Sequence, residues 1–297
     1  MNETIAAPRT NVASDKGTIR PFRVNFPEAD LAELRRRINA TRWPERETVT
    51  DDSQGVQLAT VQALARYWAT DYDWRKVEAK LNSYPQFITE HMGAQAAPAL
   101  LGIHTNMPNA IPADIDKAAF SGAPAPAGLS PDEKIAYERL QFVYQKGIGY
   151  GFQLGLRPQT MYGLADSPVG LAAYFLDHDE RSYRLIARVF AGQAAGLTRD
   201  DILDNITLTW LTDTAVSSGR LYWENKKGFF GVRGVTVPVS VSVFPDELYP
   251  LPRSWAEQAY PKLIHYNKVD QGGHFAAWEQ PKIFSEEVRA GFRSLRA

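Results

Sequence analysis

The sequence contains no cysteine, which excludes disulfide bonds, thiol nucleophiles and cysteine-ligated metal sites together. It has no excess of either charge, with 33 basic and 34 acidic residues, so composition gives no reason to expect nucleic acid or an anionic membrane as a partner. It also lacks any apolar run of about 18 residues and any secretory signal, and we therefore expect a cytoplasmic protein without a membrane anchor.

What is present is an ordinary globular composition. The 297 residues, 44% of them hydrophobic, are enough for one large domain or two smaller ones. Residues 1–19 are polar and aperiodic, which predicts a mobile tail. Leu31, Leu34 and Ile38 then recur at helical spacing, and a second helix is expected from Gln57 to Tyr67.

The rest of the chain alternates between helical and strand patterns. Runs rich in apolar and β-branched residues predict four strands, at residues 84–90, 100–107, 235–244 and 262–270. Helices are expected from 131 to about 225, beginning after an N-cap at Ser130 and interrupted by a Gly-rich turn at 147–151. Another helix is expected to start after Ser167, and a last one to end the chain. This order predicts the α/β class with an inserted all-α region.

Two short motifs place titratable side chains after neighbouring strands. Gly272 and Gly273 precede His274, and such a pair allows a tight turn that presents the imidazole at the carboxyl edge of the sheet. Asp246 and Glu247 follow the preceding strand, and because their side chains alternate in direction only one can face the histidine. From the residues alone, a helix-capping histidine and solvated loop acids remain the alternative interpretation.

Longer segments carry a family resemblance. GGHFAAWEQP, FPDELYP, DSPVGLAAYFLD and RLYWEN resemble the microsomal-type epoxide hydrolases, and the opening FRVNFPEADLAELRRRINATRWPE resembles their N-terminal module. The likeness covers residues 20–90 and 92–297. It implies an α/β-hydrolase-like fold with a helical N-terminal module, a helical cap and a central sheet that is incomplete here, with neither cofactor nor metal.

The resemblance also implies a division into domains. We expect a tail followed by the N-terminal epoxide-hydrolase module, a residual core strand and helix, a helical cap and the C-terminal part of the core, at residues 1–19, 20–90, 91–118, 119–225 and 226–297.

For the chemistry, the resemblance implies hydrolysis of a small apolar epoxide by water in two steps. An aspartate forms a hydroxyalkyl ester, two cap tyrosines bind the epoxide oxygen, and a histidine oriented by an acid activates the water that cleaves the ester. Carried over by position, the histidine is His274, the acid is Glu247 with Asp246 as the alternative, and the tyrosines are Tyr150 and Tyr222. Three other tyrosines, Tyr144, Tyr162 and Tyr174, are interpreted as packing residues.

The sequence departs from the family pattern at one place. The family carries a His-Gly-Trp-Pro-Gly turn and a Gly-Gly-Asp-Trp-Gly nucleophile elbow ahead of the segment LLGIHTNMP, and neither motif occurs here. The chain instead passes from Glu90 to Met92, and Glu90 is the only carboxylate at this junction. We therefore expect the nucleophile to be absent and hydrolysis to be impaired. The alternatives are a non-catalytic binding descendant, an incomplete or decayed sequence and, less favoured, an esterase or dehalogenase on the same fold.

Overall fold

The computed structural model of the protein describes residues 20–88, 100–193, 196–225 and 228–296. The predicted tail at 1–19 and the junction from Glu90 to Met92 lie outside these ranges. Within them, no helix is long and apolar enough to cross a lipid bilayer. The described residues cluster into two compact units, one within the bounds Met1–Phe26 and Asp73–Ala99 and the other within Pro27–Tyr72 and Leu100–Ala297.

The secondary structure is mainly helical. In chain order the strands are β1 Arg20–Pro21, β2 Phe87–Ile88, β3 Ile103–Thr105, β4 Val239–Val243 and β5 Leu263–Lys268. The α-helices are α1 Glu28–Asn39, α2 Leu58–Thr70, α3 Trp74–Asn82, α4 Ala113–Ser121, α5 Pro131–Phe142, α6 Gly149–Leu156, α7 Tyr162–Asp166, α8 Pro168–Leu176, α9 Glu180–Phe190, α10 Arg199–Leu211, α11 Ala215–Glu224, α12 Arg253–Ala259, α13 Ala276–Glu279 and α14 Pro281–Gly291.

The smaller unit combines a two-stranded sheet with α3. The strand predicted at 84–90 is described at Phe87–Ile88, where it pairs antiparallel with Arg20–Pro21. The carboxyl group of Glu78 on α3 accepts a hydrogen bond from the backbone N–H of Phe26 at 2.8 Å. Trp74 packs edge-on against the Phe26 ring, so one polar and one aromatic contact tie the entering chain to the helix.

The larger unit begins with the two helices predicted from periodicity. Leu31, Leu34 and Ile38 are buried on one face of α1, as their spacing predicts. α2 begins after Gln57, as expected, but continues to Thr70, three residues beyond the predicted end. The second helix is longer because Trp68, which falls after that end, is also buried and extends its apolar face.

The larger unit contains a three-stranded parallel sheet in the order β3-β4-β5. The predicted strands at 100–107, 235–244 and 262–270 are confirmed in position, although each is shorter than expected. All five residues of β4 are buried, as expected for a central parallel strand covered on both faces. Its valines join the apolar core, whereas Ser242 on the opposite face donates a hydrogen bond to Glu287 of α14 at 2.7 Å.

The helical insertion has the predicted caps and a shorter break than the one predicted. Ser130 and Glu133 form a reciprocal capping box at the start of α5, and the hydroxyl of Ser167 caps α8. The break expected at 147–151 is present but shorter: α5 continues into a π-helical stretch, Val143–Gly147, the helix is interrupted at Ile148, and α6 begins at Gly149. Residues 149–151 are therefore helical, because glycines are tolerated in a helix when tertiary packing supports it.

Candidate active site

Two loops at the carboxyl ends of adjacent strands meet to form the site. The loop after β4 and the loop after β5 pair through their backbones, with the N–H of Asp246 bonded to the carbonyl of Gly272 at 3.0 Å. Gly272 has a φ of +109°, and a Cβ atom there would lie 2.8 Å from the ring of Phe244. Only glycine fits both conditions, so the turn that presents His274 requires it.

His274 is held by Glu247. Its Nδ1 atom lies 2.6 Å from Glu247 Oε1, and the glutamate is only 2% exposed. Because the same carboxyl oxygen also accepts the N–H of Leu248, the ring nitrogen is the donor, which leaves the Nε2 atom of His274 as the basic position. Of the two acids considered from the sequence, the structure therefore pairs Glu247 with His274.

Asp246, the alternative acid, points away from the histidine. Its side chain is 58% exposed and forms an ion pair with Arg181 at 2.7 Å. The two carboxyls therefore diverge as the alternation of side chains along an extended segment predicts.

A third residue, Asn106, was not predicted from the sequence. Its amide nitrogen donates to Glu247 Oε2 at 3.0 Å and to the carbonyl of His274 at 2.9 Å, so one side chain ties the acid to the base. The sequence signal was its place immediately after strand β3, where a polar residue at the carboxyl edge of a parallel sheet faces the site.

The electrostatic setting keeps His274 basic. Burial by itself lowers the pKa of the imidazole, but the hydrogen bond and the negative charge of Glu247 outweigh this and raise it above its ordinary value. The charges of Asp179 and Glu279 act in the same direction. The histidine is therefore suited to accept a proton.

Tyr150 and Tyr222 come together from different helices. Tyr150 lies in the first turn of α6, not in a loop as expected, and Tyr222 lies on α11. Their ring centroids are 6.0 Å apart in an edge-to-face arrangement. Burial raises the pKa of both phenols, so both keep their protons at neutral pH and can donate hydrogen bonds.

The three tyrosines interpreted as packing residues differ in their exposure. Tyr144 is buried with its hydroxyl bonded to Asp116, and Tyr174 is half-buried with its hydroxyl directed to the carbonyl of Tyr150. Both are packing residues, as predicted. Tyr162 is 70% exposed, so its interpretation as a packing residue is wrong.

A second histidine, which was also not predicted, connects the tyrosines to His274. The Nε2 atom of His178 lies 3.0 Å from the hydroxyl of Tyr150, and its ring stacks on the ring of His274 with centroids 4.4 Å apart. Its Nδ1 atom lies 2.9 Å from the carboxyl of Asp179. The signal in the sequence was a His-Asp pair between two helical segments, with the aspartate at the helix N-cap.

An aromatic cavity opens beside this arrangement. It has a volume of about 700 Å³, and Tyr222 forms part of its wall. The remaining lining is mostly apolar and aromatic, with one acid and two bases, and includes Phe120, Tyr144, Phe152, Phe229, Asp116, Lys117 and Arg233. A cavity of this size and character fits a small apolar molecule.

The remaining carboxylates near His274 have other partners. Asp179 accepts hydrogen bonds from His178 and from the first turn of α9. Glu279 accepts the backbone N–H groups of Gly273 at 2.9 Å and Phe275 at 3.1 Å. In the described part of the chain, Glu247 is thus the one carboxylate bonded to the His274 ring.

Comparison with known proteins identifies the family. Residues 19–113 match the family described as "Epoxide hydrolase N terminus". A protein of Stigmatella aurantiaca (strain DW4/3-1) named "Putative epoxide hydrolase" is 36% identical over 381 residues, covering 94% of this chain and 86% of the relative. The chain belongs to the epoxide hydrolase family. The resemblance to the microsomal-type epoxide hydrolases is confirmed.

Other relatives agree with this assignment. "Epoxide hydrolase 1" of Sus scrofa is 33% identical over 163 residues, which are 52% of this chain and only 36% of that protein. The crystal structure of juvenile hormone epoxide hydrolase from Bombyx mori matches with a TM-score of 0.76 at 21% identity, covering 95% and 96% of the two chains. The Aspergillus niger epoxide hydrolase structure matches with a TM-score of 0.68 at 19% identity, covering 95% and 97%. The fold is α/β-hydrolase-like.

The Stigmatella relative is longer than this chain within the matched region. The match extends over 381 positions. This chain contributes 94% of its 297 residues to it, which is about 279. At about 100 positions, therefore, this chain has no residue. The relative therefore carries about 100 residues that have no counterpart here.

Proposed function

We propose that this epoxide hydrolase homologue binds apolar epoxides through the Tyr150–Tyr222 pair and keeps the acid–base pair Glu247–His274, but is impaired in forming the ester intermediate. The observation that carries the proposal is the continuous series of contacts from Glu247 through His274 and His178 to Tyr150 and Tyr222, which ends at the aromatic cavity.

Binding of the epoxide oxygen is supported by the state of the two phenols. Burial keeps them protonated, and a protonated phenol donates a hydrogen bond to an ether oxygen or to the alkoxide that forms from it. Donors directed at a developing oxyanion are worth about 10²- to 10³-fold in rate when the rest of the machinery is present. The tyrosine pair is therefore the oxygen-binding part of the proposed site.

An apolar substrate is supported by the wall of the cavity. Phenylalanine side chains from α4 and α6, together with Phe229, surround the space next to Tyr222. Aromatic rings pack favourably against one another in edge-to-face and offset geometries, and such contacts favour an epoxide with an aromatic or alkyl body.

Impaired ester formation is supported by the sequence and by the site. The chain contains neither the aspartate elbow nor the oxyanion-hole turn, and the relative with 86% coverage carries about 100 residues that have no counterpart here. Asp179 and Glu279 accept hydrogen bonds from groups other than His274, and Glu247 is bonded to the His274 ring itself. Removing one member of a catalytic unit costs up to about 10⁶-fold in kcat, which sets the scale of the expected impairment.

The binding part of the proposal is tested with two ligands of nearly the same shape. Styrene oxide carries the ether oxygen and phenylcyclopropane lacks it. We expect the protein to bind styrene oxide more tightly, by a factor of about two to ten, which is the value of one neutral hydrogen bond. Tyr222→Phe should remove that preference, whereas Tyr162→Phe, at an exposed position outside the site, should keep it. Equal affinity of the wild-type protein for both ligands would refute the oxygen-binding assignment.

The proposed impairment of ester formation is tested by incubating the protein with styrene oxide. Mass spectrometry then detects covalent adducts, and a separate assay measures the diol product. We expect no covalent adduct on any aspartate or glutamate, and diol formation far below that of a complete family member. An adduct on a carboxylate that accumulates in His274→Ala would mean that a nucleophile is present, and it would overturn the proposed impairment.

A further inference from the structure

His178 contacts both the acid–base pair and the tyrosine pair of the site. It lies between α8 and α9, with its side chain 16% exposed. One ring nitrogen faces the hydroxyl of Tyr150, the other faces Asp179, and the ring plane covers His274. We propose that His178 is a positioning residue that accepts a hydrogen bond from the Tyr150 hydroxyl and thereby makes Tyr222 the hydroxyl that donates to a ligand. This inference rests on the proposed oxygen-binding role of the tyrosines.

The proton arrangement follows from Asp179. This residue is the N-cap of α9, and its Oδ1 atom accepts the backbone N–H groups of Arg181 and Ser182. Although burial raises the pKa of Asp179, the hydrogen bonds from His178 and Ser182 outweigh it and bring the pKa to about 2. The aspartate is thus an anion that can only accept, and the Nδ1 atom of His178 must carry a proton.

The state of His178 determines what Tyr150 can do. In a neutral imidazole with a proton on Nδ1, the Nε2 atom is an acceptor, and its hydrogen-bond partner among the described residues is the Tyr150 hydroxyl. Because a phenol has a single proton, Tyr150 then has none left to give to a ligand. The proton of Tyr222 is then the one phenol proton of the pair that is left for a ligand in the neighbouring cavity.

The two tyrosines should therefore be unequal, although both belong to the proposed oxygen site. Tyr222 supplies the hydrogen bond to the ligand oxygen, and Tyr150, with its proton held by His178, packs edge-on against the Tyr222 ring. The inequality depends on the acceptor at position 178. If the acceptor is removed, the Tyr150 hydroxyl is free to donate its hydrogen bond to a ligand instead.

The first experiment uses the ligand-free protein. With all five histidines labelled with ¹⁵N, two-bond ¹H–¹⁵N correlation spectra at a pH where His178 is neutral report which nitrogen carries the proton. We expect the Nδ1–H form for His178, assigned by its loss in His178→Asn, and a shift of its Nε2 signal toward the unbonded value in Tyr150→Phe. A proton on Nε2 of His178, or an Nε2 signal that Tyr150→Phe does not move, would overturn the proposal.

The second experiment measures how strongly each variant prefers styrene oxide to phenylcyclopropane. Tyr222→Phe should abolish the preference and Tyr150→Phe should retain part of it. His178→Asn, whose shorter side chain cannot reach Tyr150, should restore a preference of about two- to tenfold when added to Tyr222→Phe. His178→Gln keeps an acceptor at the position of Nε2, so adding it to Tyr222→Phe should restore nothing.

Rescue of this kind separates positioning from a merely structural role, because a damaged fold does not regain binding through a second substitution. Equal losses in the two tyrosine variants, with no rescue by His178→Asn, would overturn the inference. A wild-type protein without any preference would instead refute the proposed oxygen site, while the ligand-free spectra would still decide whether His178 holds the Tyr150 proton.

Discussion

The substitution Glu247→Gln tests how the buried acid controls His274. The hydrogen-bond partners of Glu247 in the described part of the chain are three N–H donors, from His274, Leu248 and Asn106. A glutamine has one acceptor oxygen and an NH₂ group, so at least one donor must face another donor. Losing a hydrogen bond to a charged group costs about 1.5–3 kcal/mol and a neutral bond about 1 kcal/mol, so we expect the free energy of unfolding to fall by about 2–4 kcal/mol.

The same substitution should lower the pKa of His274. Without the carboxylate, burial remains and favours the neutral ring, whereas in the wild-type protein the glutamate outweighs burial and raises the pKa. A group whose pKa is raised on folding contributes stability that is present at low pH and is lost as the pH rises through its folded pKa. The stability difference between the wild-type protein and the variant should therefore be larger near pH 6 than near pH 9.

Both quantities are measurable. The pKa is followed by NMR titration of the imidazole C–H signals, and the free energy by urea unfolding at several pH values. Asp246→Asn is the matched control, because that carboxyl is exposed and pairs with Arg181 instead of His274. If Asp246→Asn lowered the pKa of His274 as much as Glu247→Gln, or if Glu247→Gln left it unchanged, the assignment of the acid would be wrong.

Three further substitutions test other parts of the fold. Gly272→Ala should lower stability by about 1–3 kcal/mol in denaturant unfolding, because the residue has a left-handed backbone and its Cβ would meet the ring of Phe244; an unchanged midpoint would contradict the strain argument. The pKa of Glu287 is lowered because its hydrogen bonds outweigh its burial, so its ionised form stabilises the fold above the unfolded pKa and this effect is lost as the pH falls. Glu287→Gln should therefore be less stable than the wild-type protein at neutral pH and approach the wild-type stability in acid. Urea unfolding at several pH values measures this. Ser130→Ala should cost about 1 kcal/mol in thermal unfolding through loss of the helix cap, and Ser130→Asp, which can still cap, should cost less.

Local patterns in the sequence were sufficient for features that depend on neighbours along the chain. The spacing of Leu31, Leu34 and Ile38 predicted the buried face of α1, and Ser130 predicted the start of α5. The glycine pair before His274 predicted the turn after β5, since a left-handed backbone favours glycine in any context. The motifs quoted from these segments were also enough to indicate the family.

Long-range packing decided the features that depend on residues far apart in the chain. The sequence left Asp246 and Glu247 as alternatives, and the pairing of two loops turned Glu247 toward His274 and Asp246 toward solvent. The predicted break at 147–151 is shorter than expected for the same reason, because packing around α6 outweighed the low helix propensity of Gly149 and Gly151.

His178 is the clearest example of a site residue that the sequence could not predict, because its partners come from separate parts of the sequence. Tyr150 precedes it by 28 residues and His274 follows it by 96, and no local period connects the three positions. The adjacent aspartate was visible in the sequence, but the stacking and the hydrogen bond exist only after the helices on both sides of His178 have packed. The sequence by itself therefore determined which chemical groups are available, whereas tertiary structure decided which of them share a proton, since hydrogen bonds require contact within about 3 Å.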